Sequence, residues 1–254
     1  IKLDGNYPTG TRNVALGDEA LIATESGSGY SVAVGTYSLR ANTTGTHNSS
    51  VGYASLDANT TGAGNTALGS FALSGNTTAS NNTAVGYQSA FSATTATGLV
   101  IVGREAGKLI TTGSENTAVG YDAMQKTTTG ASNVALGFKS LFSNTTASNN
   151  TALGYQAGYS NTTGDKNVSL GGASGYDNTT GRLNTFVGYN SGANNTTANS
   201  NTFMGESAGF TNTTGQYNPA IGQAALVFNT TSSNNTAVGY QAAYSQTSPG
   251  NPNT

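Results

Sequence analysis

This sequence has no cysteine and no tryptophan, and only one histidine and four prolines in 254 residues. Without cysteine there is no disulfide framework and no thiolate chemistry, whatever redox compartment the chain occupies. Charge is also scarce: nine Lys and Arg against eleven Asp and Glu leave a net charge of −2. So sparse and balanced a set gives no basic stripe for a phosphate backbone, which argues against nucleic acid as a partner. No run approaches the roughly 20 apolar residues of a membrane span, and no signal peptide is visible. The chain starts at Ile1, which reads as a piece of a longer protein. Leu, Ile, Val and Phe make up about one residue in six, a level at which disorder is the default when net charge is high. Net charge here is low, and the residues that replace them, Gly, Asn, Thr, Ser and Ala, follow a strict period.

Fourteen glycines carry that period: Gly17, Gly35, Gly52, Gly69, Gly86, Gly103, Gly120, Gly137, Gly154, Gly171, Gly188, Gly205, Gly222 and Gly239. All intervals are 17 residues except the first, which is 18. Such a repeat is one structural unit stacked many times, which predicts an ordered all-β solenoid of about fourteen coils over residues 13–249. A lead-in over 1–12 and a tail over 250–254 flank it.

Each coil is numbered from its glycine at position 0. Position −1 is aliphatic in every copy, −2 is mostly Ala, −3 mostly Thr or Val, and −4 is Asn in twelve copies. This run is too short for a helix, and its β-branched residues favour a strand. Strand alternation sends −1 and −3 to one face and −2 to the other. Both faces are therefore apolar or small, yet one coil has a single interior and hides one face. Strands buried on both faces read this way, so the second face calls for cover by further copies of the chain.

Volume covariation adds a contact. Position −2 is bulky at Ile101, Phe186 and Phe203, and in those coils +4 is Gly107, Gly192 and Gly209. Where +4 is Leu39, Leu56, Leu73, Met124, Leu141 or Leu226, −2 is Ala or Ser. Close packing demands such compensation, so −2 and +4 are expected to touch. The constant glycine at 0 points to a backbone conformation or approach closed to a Cβ. Asn-Thr-Thr-Gly at +7 to +10 has turn composition, and small polar side chains stacked at identical turns can form hydrogen-bonded ladders.

The phrases Asn-Thr-Ala-Val-Gly-Tyr-Gln-Ala and Ser-Asn-Thr-Thr-Gly resemble repeats of bacteriophage tail-fibre shafts. They are also similar to head repeats of YadA-like trimeric autotransporter adhesins. The resemblance spans residues 13–249. It implies a parallel left-handed β-roll wound as a homotrimer, with the strand facing the three-fold axis. The implied role is structural: a virion tail-fibre shaft presenting a receptor-binding tip for host attachment, joined at both ends to other fibre domains. The alternative is an extracellular adhesin head binding host or matrix, with cell-surface glycans as possible contacts. The 17-residue unit is longer than the adhesin head's repeat of about 14 residues. The chain also contains no coiled-coil stalk, membrane anchor or chaperone domain of the kinds that accompany such repeats.

No enzyme signature stands out, and no catalytic, cofactor-binding or metal residue is assigned. His47 has no cysteine or acidic cluster beside it in sequence and reads as an exposed turn residue. The Asn-Thr-Thr asparagines, from Asn42 to Asn229, match the N-glycosylation sequon. They are read first as turn residues and second as a glycan-bearing column. A weaker alternative is an ice-binding or filament-forming protein; the threonines suggest the first, limited because only one of each pair can face outward. The coil Leu99–Glu115 departs most from the consensus, read as drift with compensating packing ahead of a binding patch. Asp4, Asp18, Glu19 and Glu25 lack metal-loop spacing and read as solvated surface. The glycines punctuate a repeat and do not form a phosphate loop.

Overall fold

The computed structural model describes residues 12–25 and 29–245. The expected tail, most of the lead-in and Asp4 lie outside these residues. Two compact units divide the chain, residues 1–129 and 130–254. The first holds strands β1 (Val14–Leu16), β2 (Val32–Val34), β3 (Ser49–Val51), β4 (Thr66–Leu68), β5 (Thr83–Val85), β6 (Val100–Val102) and β7 (Thr117–Val119). The second holds β8 (Val134–Leu136), β9 (Thr151–Leu153), β10 (Val168–Leu170), β11 (Thr185–Val187), β12 (Thr202–Met204), β13 (Pro219–Ile221) and β14 (Ala237–Val238). Within each unit the strands pair in chain order, parallel and in register, as in Ala67 opposite Ala84 and Ala152 opposite Ser169. The expected all-β parallel solenoid is therefore the observed architecture. No helix among the described residues is long and apolar enough to cross a membrane.

The strands are only two or three residues long because the rest of each coil pairs by other means. The Gly52 N–H donates to Val34 O at 2.8 Å, and the Ala54 N–H to Thr36 O at 2.9 Å, both one coil back. The Leu39 and Ala41 N–H groups reach one coil forward, to Ser55 O and Asp57 O, each at 3.0 Å. At the Thr-Thr bend, Thr60 O accepts from the N–H groups of Thr43, Thr44 and Gly45. Turn segments thus satisfy their backbone groups against neighbouring coils, as strands do in a ladder.

These pairings need a backbone that the composition did not announce. Positions +2, +4 and +12 adopt positive φ, exemplified by Phe71 (62°), Leu73 (50°) and Asn81 (61°). A left-handed Leu costs roughly 1–2 kcal/mol. Complete burial of Leu39, Leu56 and Leu73 at +4 offsets this, at roughly 1.5–3 kcal/mol per side chain.

Inside each coil, −2 and +4 meet as covariation required. A Cβ on Gly209 would collide with the Phe203 ring, and one on Gly192 with the Phe186 ring. At Gly107 it would come 3.2 Å from Ile101 Cδ1. Two coils show that compensation also runs between neighbours. Ala152 and Ser169 are small at −2 although +4 is Gly158 and Gly175. Here the space beside Gly158 is reached by Leu141 from the preceding coil, and that beside Gly175 by Phe186 from the following one.

Candidate functional site

Each strand from β2 to β13 presents one buried residue between two accessible ones. The patterns Thr66–Leu68 and Val134–Leu136 are exposed–buried–exposed, and the central Ala67 and Ala135 are buried. The valine and alanine rows therefore lie on opposite sides of one ribbon. With the interior filled by −2, +3 and +4, the outer face keeps an aliphatic column at −1, an aromatic at +1 in half of the coils, and mainly Thr or Val at −3. Leu68 is 48% exposed and Leu136 46%, while Tyr155 and Tyr189 at +1 reach 60% and 61%.

Aromatic rings extend this face. In the first unit Tyr53 meets Phe71 edge-on at 5.1 Å. In the second, Phe138 and Tyr155 stack at 5.3 Å and 7°. A second column at +5 stacks Phe142 on Tyr159 at 5.2 Å and Tyr159 on Tyr176 at 5.0 Å. Burial pushes the Tyr176 hydroxyl above its ordinary value, and Tyr159, Asp177 and Tyr155 push it the same way. Asp177 is likewise raised by desolvation. Stacked rings cover one another's faces, so these columns offer edges and hydroxyls rather than open planes.

The Asn-Thr-Thr asparagine is not a surface turn residue. Asn42, Asn59, Asn76, Asn144, Asn161, Asn178, Asn195, Asn212 and Asn229 are all buried. Each Nδ2 donates to the +10 carbonyl of its own coil, and those of Asn59, Asn76, Asn161, Asn178, Asn195, Asn212 and Asn229 donate also to the asparagine one coil back. Asn178 donates to Asn161 Oδ1 at 3.2 Å and to Gly181 O at 2.9 Å, and its own Oδ1 accepts from Asn195 at 2.8 Å. No glycan can be attached at such a nitrogen without unfolding the coil, which overturns the glycan-bearing alternative. The ladder runs through Asn42, Asn59 and Asn76 in the first unit, where Ala93, Ile110 and Thr127 break it. It runs unbroken through all six asparagines of the second unit.

Position −4 forms a second buried ladder that sequence reasoning missed. The Asn65 N–H donates to Asn48 Oδ1 at 2.9 Å, and Asn65 Nδ2 to Ala79 O at 2.9 Å. The available signal was the identity of Asn in twelve copies, which a solvent-facing position would not hold. Buried amides without partners cost about 1–3 kcal/mol each. Asn178→Ala orphans Asn161 Oδ1 and frees an Asn195 proton, so a loss of about 2–4 kcal/mol is expected in thermal or denaturant unfolding. Asn178→Asp should cost more at neutral pH, because it aims a carboxylate at Asn161 Oδ1 and Gly181 O. Acidification, which neutralises it, should recover part of the loss.

The remaining candidates stay apart. His47 is exposed and stacks on Tyr30 at 4.9 Å. Among the described residues no three His, Cys, Asp or Glu side chains gather as a metal site. Asp18, Glu19 and Glu25 are exposed. In the divergent coil Leu99, Ile101 and Ile110 are buried together, with Gly107 making room for Ile101 and Ile110. Arg104 and Lys108 pair with Glu105 at 2.8 and 3.2 Å, so that coil is compensated packing under an ion-paired surface. Threonines at +8 spend their hydroxyls on the next coil, as Thr60 Oγ1 does on Thr77 O at 3.0 Å. Within the Thr-Thr pairs the +9 residue, such as Thr61 and Thr163, is exposed while its +8 neighbour is mostly half-buried, which leaves the bend one threonine row where a flat ice-matching array needs two. In comparison with known proteins, the chain matches no protein-family model and no curated sequence.

Proposed function

We propose that this chain is a structural spacer: a segment of a homotrimeric bacteriophage tail-fibre shaft that holds a receptor-binding tip away from the virion. The observation that carries the trimer is the open apolar face. The aliphatic column at −1 and the aromatics at +1 remain accessible on the outer side of the strands. Covering half of a Leu side chain is worth on the order of 1 kcal/mol. One aliphatic position per coil, with an aromatic beside it at +1 in half of the coils, gives roughly 10 kcal/mol over the seven coils of one unit, comparable with the ~4–15 kcal/mol that association costs. The identification with a tail fibre rests on the repeat resemblance. The exposed tyrosines at +1 favour a second reading, an adhesin head that itself holds a glycan or matrix protein.

Light scattering on the purified chain should give three times the 25.4 kDa chain mass. Leu68→Lys and Leu153→Lys, one in each unit, should reduce that to the single-chain mass while leaving the β-sheet circular dichroism unchanged. A folded wild-type chain that sediments as a monomer at micromolar concentration would overturn the trimer. Binding of the isolated chain to immobilised glycans or matrix proteins would favour the adhesin over the shaft.

A further inference from the structure

In the second unit the −4 asparagines from Asn133 to Asn218 follow one rule with one exception. The side-chain amide donates to the +10 carbonyl of its own repeat: Asn133 to Ala147 at 2.9 Å, Asn167 to Gly181 at 2.8 Å and Asn184 to Ala198 at 2.8 Å. Asn150 should reach Gly164 O in the same way. That carbonyl instead accepts from Asn161 Nδ2 at 3.0 Å and Asn167 Nδ2 at 3.2 Å. Asn150 Nδ2 is buried and finds no partner in the chain. Its orientation is fixed, because Asn150 Oδ1 accepts from the Asn167 N–H at 2.8 Å.

Beside it lies a cavity of about 10 Å³ lined by Asn150, Leu141, Gly158, Ser169 and Gly175, among others. Its origin is the pair of coils in which −2 and +4 are both small. Leu141 reaches the space beside Gly158 and Phe186 that beside Gly175, and a cavity with Leu141 in its wall remains. Ser169, buried on the same wall, points its Oγ towards Gly175. A space of this size accommodates one water molecule, and a water needs two or more polar partners.

We propose that a single buried water occupies this cavity as the missing rung of the asparagine ladder. It accepts from Asn150 Nδ2 and exchanges a hydrogen bond with Ser169 Oγ. The inference lies inside one unit and holds whether or not the chain trimerises. A high-resolution crystal structure should show a density peak within hydrogen-bond distance of Asn150 Nδ2, with no counterpart beside Asn133 or Asn184. Ser169→Thr supplies a test of opposite sign, since it adds a methyl to the cavity wall. If water is evicted and Asn150 left unpaired, Tm should fall by about 2–6 °C. A dry cavity would be filled by the same methyl, and Tm would rise. No density peak, a bond from Asn150 Nδ2 to Gly164 O, or a raised Tm would overturn the proposal. Should the variant not fold, the wild-type density decides alone.

Discussion

Gly154→Ala should destabilise the second unit by at least about 3 kcal/mol, a loss well above the typical point substitution. Two independent costs combine. Gly154 adopts φ +139°, a region that is glycine territory and costs other residues roughly 1–3 kcal/mol. A Cβ there would also lie 2.6 Å from Gly171 O and 2.7 Å from Gly171 C. Both obstacles are backbone atoms of the next coil, so no side-chain rotation can relieve them. The stack itself would have to open, breaking the in-register pairing of β9 with β10. Thermal unfolding should report the loss, and amide exchange should localise it to the coils on either side of Gly154. An alanine variant with wild-type Tm and unchanged exchange would show that the coils are not spaced this closely.

Phe203→Ala should cost about 3–5 kcal/mol, the range for deleting a buried aromatic ring. Phe203 is fully buried, stacks on Phe186 at 5.8 Å and shares a core with Leu226 and Ala225. Gly209→Leu alone should also destabilise, because its Cβ would enter the Phe203 ring. The two together should be far less harmful than their sum. They recreate the pair found one coil on, Ala220 at −2 with Leu226 at +4, and Gly209 already holds φ 59° against 51° at Leu226. Consecutive leucines at +4 occur at Leu39, Leu56 and Leu73, all buried. A coupling energy above about 1 kcal/mol in the double-mutant cycle is expected for residues in direct contact. Simple additivity would mean that −2 and +4 do not share one space.

The outer face was legible because strand alternation is a local rule. Leu68 and Ala67 are chain neighbours, so their opposite directions follow from the backbone alone. The −2 to +4 contact was legible for a related reason: six residues separate the partners, and volume at Phe203 and Gly209 is conserved within one coil. Gly158 and Gly175 broke that reading, since Leu141 and Phe186 fill their space from adjacent coils. Left-handed backbone at Leu73 or Phe71 carried no compositional mark, because the residues themselves disfavour it and burial or pairing overrides the preference.

What the sequence by itself determined was the period, the strand, the glycine requirement at 0 and the two-faced ribbon. Each depends on residues within one coil, or on the repetition itself. Only the tertiary structure decided that the asparagines at −4 and +7 are interior. An Asn before Thr-Thr has the same composition in a solvent-facing turn as in a ladder. Its asparagine partners in the ladder stand 17 residues away and come within reach only when one coil lies on another.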